Sequence, residues 1–139
     1  MPEFRGLLCH GTAIELDEVG GFDLSHCKEG GAMGRGFYFS NDIALGQQYS
    51  GGDLPIVAVI TLENPYELDG DAVTYRERLA WGRMFRPNID ARERMIAAGY
   101  DGVLFREGGY VEAVVFYPEQ IESYGRMATF EDVESAFAP

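Results

Sequence analysis

Short apolar stretches separated by turn-forming residues run along most of this chain. Residues 55–63 alternate well enough for a buried strand, which Asn64-Pro65-Tyr66 would end. The same pattern predicts strands over residues 7–10, 37–39, 103–106 and 111–117, and one more over 121–127. The longest apolar runs, Ile56 to Leu62 and Ala113 to Tyr117, have strand lengths and fall short of the roughly 18 residues of a membrane helix. A soluble protein is therefore expected.

Helical segments are predicted at the flanks of these strands. Ser40 or Asn41 would cap a helix that carries Asp42 in its first turn and runs to about Tyr49. Residues 20–36 contain six glycines, too many for a helix, and predict a loop. The other predicted helices or helical turns cover residues 12–19, 72–85, 90–98 and 129–137.

The order of these elements predicts an α+β fold. Runs of strands with helices at the flanks favour two small packed sheets rather than a wound parallel sheet. The 139 residues correspond to one domain, residues 1–139, of a size that buries roughly 68 to 70% of its unfolded surface.

Acidic residues outnumber basic ones, and the formal net charge is −12. This charge argues against undirected nucleic-acid binding, because a protein that neutralises phosphates needs a local excess of Lys and Arg. Residues 72–98 are the exception, with six arginines against three acidic residues. They form either a solvated helical face or a contact surface for a target or phosphate group, since Trp81, Met84 and Phe85 interleave with the arginines.

The two cysteines, Cys9 and Cys27, and a start that lacks a basic and apolar leader indicate a reducing cytosol. Cys9-His10 and His26-Cys27 supply four side chains that zinc accepts. Adjacent residues on a strand point to opposite faces, however, so Cys9 and His10 could hardly converge on one ion. No bound metal is therefore expected.

Three segments carry residues typical of a catalytic site. An apolar run from Leu7 ends on His10-Gly11-Thr12. Residues 34–40 read Gly-Arg-Gly-Phe-Tyr-Phe-Ser, and Tyr49 follows Tyr38 by eleven residues. Residues 110–116 place Glu112 near the start of an apolar strand.

Simpler interpretations exist for each segment. Tyr38 within Phe-Tyr-Phe could be core, His10 at a strand end could be structural, and Glu112 could be an edge-strand acid facing water. An acid on an apolar element is costly unless it has a function or a partner, and the spacing of Tyr38 and Tyr49 favours a shared role. The glycines of residues 20–36 lack the Gly-Lys-Ser/Thr ending of a phosphate loop and the spacing of a dinucleotide fingerprint.

Taken together, the three segments resemble the motifs of the ADP-ribosyltransferase superfamily, in the His-Tyr-Glu branch that includes diphtheria toxin and the poly(ADP-ribose) polymerases. The resemblance runs from residue 7 to about 121. It implies a split β-sandwich of two small sheets with flanking helices, and NAD as co-substrate. It also implies that Glu112, His10 and Tyr49 form the catalytic set.

The resemblance assigns a part of NAD to each motif. Glu112 would hydrogen-bond the 2′-hydroxyl of the nicotinamide ribose and stabilise developing positive charge, and Tyr38 and Tyr49 would sandwich the nicotinamide ring. Four further contacts are implied: His10 with the adenine-side ribose or backbone, Gly11 with the nicotinamide amide, Thr12 with a ribose hydroxyl and Arg35 with a phosphate. Residues 20–36 would cover NAD as a lid.

At two positions the residue differs from the one found in other ADP-ribosyltransferases. Gly46 replaces the serine found three residues before the second tyrosine in the polymerases, which removes one hydroxyl contact to nicotinamide. Tyr110 stands where arginine-modifying relatives have Glu, so an arginine acceptor is not indicated. The loop from Arg106 to Tyr110 corresponds to the segment that meets the acceptor.

The expected function is transfer of ADP-ribose from NAD to a macromolecule, a protein rather than a nucleic acid, by a bacterial or phage-borne toxin or effector in a cytosol. A partner or inhibitor protein is possible, and no membrane is involved. Two alternatives stay open: a non-catalytic acidic binder or inhibitor on the same fold, and an NAD glycohydrolase that gives ADP-ribose to water.

Overall fold

The computed structural model describes residues 3–10, 36–45, 55–74, 76–77, 80 and 91–126. Its strands are β1 (Phe4–His10), β2 (Phe37–Ser40), β3 (Ile56–Leu62), β4 (Pro65–Asp69), β5 (Gly102–Glu107), β6 (Tyr110–Val115) and β7 (Ile121–Arg126). Helix α1 (Ala91–Ala97) precedes β5, and a 3₁₀ turn (Pro118–Gln120) precedes β7. Each strand predicted from the sequence is confirmed. None of the helices in these ranges is long and apolar enough to span a membrane.

The described strands form one hydrogen-bonded sheet in the order β4-β5-β6-β2-β1-β3-β7. All neighbouring pairs are antiparallel except β4 and β5, which run parallel. The prediction of two packed sheets with flanking helices is therefore not confirmed for these residues. The ladder between β1 and β2 is short, because these two strands share a single Cα pair, Cys9 with Ser40. By contrast β1 pairs with β3 along all seven residues from Phe4 to His10.

Both faces of the sheet are covered near its centre. Strand β6 shows this most clearly, because Ala113 and Val115 join one buried cluster while Val114 joins the other. Side chains alternate between faces along a strand, so a continuous apolar run is what a strand buried on both sides requires. The first cluster contains Phe37, Phe39, Ile60 and Leu62 among others. The second contains Leu68, Val103 and Phe116 with Ala91 and Met95 of α1.

Helix α1 confirms the helix predicted over 90–98, and Gly99 ends it. Gly99 has a φ of 95°, a conformation that glycine adopts without steric cost. The Tyr100 amide donates to the Met95 carbonyl at 3.0 Å, and the Gly99 amide donates to the Ile96 carbonyl at 3.0 Å. These two bonds are the Schellman arrangement that closes a helix C-terminus.

Strand β4 is not predicted by the sequence, in which Asn64-Pro65-Tyr66 indicates only the end of β3. The chain turns at Glu63 and Asn64, whose amides both donate to the Asp101 carboxylate, at 2.8 and 3.0 Å. It then enters β4 at the edge of the sheet. Proline is tolerated at the start of an edge strand because its missing N–H is not needed there.

Two predicted helices begin later than expected. Asp42 rather than Ser40 or Asn41 caps the helical residues 43–45, since its Oδ1 accepts the Leu45 amide at 3.1 Å. Ala72 lies in a turn, and helix is described only at residues 76, 77 and 80 of the predicted 72–85 segment. The predictions for residues 12–19 and 129–137, for most of the glycine-rich loop and for Trp81 to Phe85 lie outside the described residues.

Candidate active site

Glu112 lies on β6 directly opposite Ser40 of β2 on one side and Phe105 of β5 on the other. Directly opposed residues of an antiparallel ladder project to the same face. Phe105 packs against the second buried cluster, so Glu112 projects on the face of the sheet that α1 covers. Its side chain is half-buried. Glu112 was predicted to face either a ligand or water. It lies beside the buried core, where a carboxylate needs a polar partner.

Tyr110 supplies that partner, two residues earlier on the same face. Its hydroxyl lies close enough to the Glu112 carboxylate for each group to shift the pKa of the other. Burial raises the pKa of Glu112, and the hydrogen bond from Tyr110 opposes that rise. Burial is also the main cause that raises the pKa of Tyr110 to about 12, followed by the charge of Glu112 and the hydrogen bond to it. The phenol therefore stays protonated at neutral pH and is available as a donor to the carboxylate.

Ser40 and Cys9 extend this polar group toward β1. The Cys9 thiol donates to the Asp42 carbonyl at 3.5 Å, and the Ser40 Oγ accepts the Asp42 amide at 3.2 Å. Burial raises the pKa of the Cys9 thiol to about 11. A thiol that remains protonated is a weak nucleophile and a poor metal ligand. Cys9 is therefore a buried hydrogen-bond donor at the short ladder between β1 and β2.

Tyr38 stands diagonally from Glu112 on the β2–β6 ladder, because it pairs with Val114 while Ser40 pairs with Glu112. Diagonal neighbours on one face are close enough for an aromatic side chain to reach. Tyr38 is half-buried and packs against the second cluster. The structure thus brings Tyr38 and Glu112 to one face of the sheet, while part of the Tyr38 ring packs against the buried core.

His10, the last residue of β1, contacts the tyrosine strand. Its Nδ1 lies 2.7 Å from the Tyr38 carbonyl oxygen, and its ring centroid lies 5.1 Å from that of Phe39. A carbonyl oxygen only accepts hydrogen bonds, so Nδ1 carries a proton. The contact fixes the imidazole against β2. Among the described residues, no three His, Cys, Asp or Glu side chains form a group that could hold a metal ion.

The turn between β5 and β6 lies directly before Tyr110 and Glu112. Gly108 and Gly109 have φ values of 54° and 86°, and Glu107 pairs with Tyr110 across them. Two central residues with positive φ define a type I′ hairpin turn, for which Gly-Gly is a preferred sequence. The predicted acceptor loop is therefore a tight two-residue hairpin.

Neighbouring segments hold this turn from both sides. On one side, the Asn41 side chain donates from Nδ2 to the Gly109 carbonyl at 2.8 Å and accepts the Val111 amide on Oδ1 at 3.0 Å. On the other side, the Gly108 amide donates to the Asp71 carboxylate, with both oxygens at 3.1 Å.

Of the predicted site residues, the structure describes His10, Tyr38 and Glu112 and places them on the neighbouring strands β1, β2 and β6. Gly11, Thr12, Arg35 and Tyr49 lie outside the described residues. Ser40 and Asn41 were predicted from the sequence only as helix caps, with no role at the site. A signal existed for Tyr110, because residues two apart on a strand share a face.

These strands bring Glu112 and Tyr38 to one face of the sheet. His10 lies two residues after Leu8 and against Phe39, so it projects on the opposite face and reaches the tyrosine strand only through the Tyr38 carbonyl. The model of a family described as ADP-ribosyltransferase in polyvalent proteins matches residues 7–128, a span that includes all three motifs. The chain belongs to this ADP-ribosyltransferase family. No curated protein gives a significant match to the chain.

Proposed function

We propose that this protein is an NAD-dependent mono-ADP-ribosyltransferase whose acceptor is a macromolecule. Members of the superfamily use NAD as co-substrate, and the family model covers most of this chain. The observation that supports the proposal is the position of Glu112, a half-buried carboxylate that shares a face of β6 with Tyr110 and stands opposite Ser40. A carboxylate held in this way can interact with a sugar on which positive charge develops.

In the proposed reaction, the bond between the anomeric carbon of ribose and nicotinamide breaks. Nicotinamide leaves with the bonding electron pair, so its ring nitrogen loses its positive charge while the ribose becomes oxocarbenium-like. Glu112 accepts a hydrogen bond from the ribose 2′-hydroxyl and stabilises this charge. The acceptor then gives an electron pair to the anomeric carbon and releases a proton.

The other site residues are proposed to bind NAD. Tyr38 and Tyr49 stack on the two faces of nicotinamide, since aromatic rings suit a flat heteroaromatic ring. The remaining contacts come from His10 and Thr12 to ribose, Gly11 to the nicotinamide amide and Arg35 to a phosphate. The hydrogen bond between His10 and the Tyr38 carbonyl supports the first of these contacts, because it fixes the imidazole beside the tyrosine strand.

The acceptor is proposed to be a protein, and the cellular role that of a bacterial or phage-borne toxin or effector in a cytosol. The net charge of −12 supports a protein acceptor over a nucleic acid, whose phosphates would be repelled. Residues 72–98 carry the local excess of arginine and are the proposed contact for that acceptor.

Incubation with NAD labelled on the adenosine moiety and a whole-cell lysate tests the function. Macromolecular label that protease removes and nuclease leaves is the expected result. Glu112→Gln should lower the rate of nicotinamide release by roughly 10²-fold or more, a typical loss for one transition-state contact. Glu67→Gln is the matched control, because it makes the same change at an exposed position of β4 and should keep the wild-type rate.

Other outcomes separate the alternatives. Nicotinamide release without macromolecular label indicates a glycohydrolase. Absence of nicotinamide release from the wild-type protein contradicts the proposed enzyme and favours the acidic binder. Equal rates for Glu112→Gln and Glu67→Gln contradict the role of Glu112.

A further inference from the structure

Asn41, the residue directly after β2, makes three hydrogen bonds to the segment that leads into Glu112. Its amide donates to the Val111 carbonyl at 3.1 Å. Its side-chain Oδ1 accepts the Val111 amide at 3.0 Å, and its Nδ2 donates to the Gly109 carbonyl at 2.8 Å. One residue thus satisfies three backbone groups within the three residues that precede Glu112.

The side chain of Asn41 replaces backbone groups that a longer strand would provide. The last pair of the β2–β6 ladder is Ser40 with Glu112, and the next would join Asn41 to Val111. The chain leaves the sheet there, because Asp42 caps the helical residues 43–45. The Asn41 carboxamide carries one acceptor and one donor group, so it can continue the pairing after the backbone has turned away.

The opposite side of the turn is held independently. The Gly70 amide donates to the Arg106 carbonyl at 2.7 Å, and the Gly108 amide donates to the Asp71 carboxylate at 3.1 Å. These bonds fix the β5 side of the hairpin. Within the part of the chain that the structure describes, Asn41 is the residue after β2 that bonds to the β6 side, where Tyr110 and Glu112 lie.

We propose that Asn41 is a positioning residue for Glu112: its side chain fixes the end of the hairpin and so holds the carboxylate in its reactive orientation. This inference rests on the proposed function. Asn41 touches neither reacting atoms nor NAD in this proposal and acts through the backbone of Gly109 and Val111. A misplacement of about 1 Å at a reacting group can lower a rate 10²-fold, so a small shift of this strand has a measurable consequence.

Asn41→Ala tests the proposal, with Asn64→Ala as the matched control. The Asn64 side chain also donates to a glycine carbonyl, that of Gly99, at 2.8 Å, but at a turn at the far end of β5. We expect Asn41→Ala to lower kcat for NAD cleavage by roughly 10- to 100-fold with little change in KM. Both variants should lower the melting temperature, and by similar amounts, but Asn64→Ala should leave kcat unchanged. Amide hydrogen exchange at Val111 should accelerate only in Asn41→Ala.

A double variant shows whether Asn41 acts through Glu112. If it does, adding Asn41→Ala to Glu112→Gln should reduce the remaining rate by less than threefold, because the positioned carboxylate is already gone. If Asn41→Ala lowers the rate by the same factor in the wild-type protein and in Glu112→Gln, the proposal is overturned. A wild-type kcat in Asn41→Ala, or equal losses in Asn41→Ala and Asn64→Ala, also overturns it while leaving the proposed function intact. If the wild-type protein does not cleave NAD, both proposals fail together.

Discussion

The two ends of strand β5 carry turns that are alike in their chemistry. Gly99 precedes the strand with a φ of 95°, and Gly108 and Gly109 follow it with φ values of 54° and 86°. A tyrosine comes next in both places, Tyr100 and Tyr110, and each ring makes an edge contact with another aromatic ring. An asparagine side chain donates to a glycine carbonyl at 2.8 Å at each end.

The two turns differ in what they hold. The turn at Gly99 connects α1 to the buried part of β5, and Asp101 there accepts the amides of Glu63 and Asn64. The turn at Gly108 leads within four residues to Glu112, and the hydroxyl of Tyr110 after it lowers the pKa of that carboxyl group. Similar hydrogen bonds thus stabilise the framework at one end and orient the candidate site at the other. Perturbing matched positions separates the two roles.

Replacing Gly109 or Gly99 with Ala should give the largest contrast. A positive φ costs a residue with a Cβ roughly 1 to 2 kcal/mol, and the added methyl group would meet no atom within 4 Å at either position. Both variants should therefore lower the melting temperature by roughly 3 to 8 °C. Only Gly109→Ala should also lower kcat for NAD cleavage, by about tenfold or more. Calorimetry and steady-state kinetics on both variants make the comparison, and equal kcat values would mean that the two turns are functionally equivalent.

The elements best predicted from sequence are those whose local pattern and tertiary packing agree. Strand β6 has a continuous apolar run and lies inside the sheet, between β5 and β2, with both faces covered. The end of α1 was predicted from Gly99, whose φ of 95° is a local backbone requirement. The positions of Tyr38 and Glu112 on strands followed from the same pattern, and the motifs that resemble ADP-ribosyltransferases led to the family.

The features that the sequence does not predict depend on contacts between distant segments. Strand β4 is short and begins with Pro65, and it exists as a strand because it pairs in parallel with β5. The single sheet depends on the one pair between Cys9 and Ser40, which no local pattern shows. Asn41 was interpreted as a helix cap, a common local role for asparagine, whereas its side chain bonds Val111, 70 residues away.

Removing the hydroxyl of Tyr110 should give a smaller change in rate that depends on pH. The hydrogen bond from Tyr110 lowers the pKa of Glu112, so Tyr110→Phe should raise that pKa. If the ionised carboxylate is the active form, the acidic limb of the kcat profile moves to higher pH. At mildly acidic pH the rate should fall on the order of 2- to 10-fold, the equivalent of one hydrogen bond. The loss should diminish as the pH rises.

Tyr100→Phe provides the control at the other end of β5, where the tyrosine ring packs against Tyr66 at 5.0 Å. Its pH profile of kcat should match that of the wild-type protein. An acidic limb that stays in place in Tyr110→Phe, or that moves equally in both variants, contradicts a specific effect of the Tyr110 hydroxyl on Glu112.

The smallest expected effect is that of Glu112→Gln on stability. This substitution should lower the rate of NAD cleavage but raise the stability of the fold at neutral pH. Burial is the main cause that raises the folded-state pKa of Glu112 above the reference value of 4.5. The folded state then binds more protons than the unfolded state between these two pKa values, so this carboxyl makes the protein less stable as the pH rises through that interval.

Glu112→Gln removes the titration and should raise the melting temperature at neutral pH. Well below pH 4.5 the carboxyl is protonated in both states, and this advantage should disappear. Thermal unfolding across this pH range, with Glu67→Gln as the exposed control, measures the effect. A pH-independent difference, or a Glu112→Gln variant that is less stable at neutral pH, would mean that Glu112 supports the framework as the Gly99 turn does.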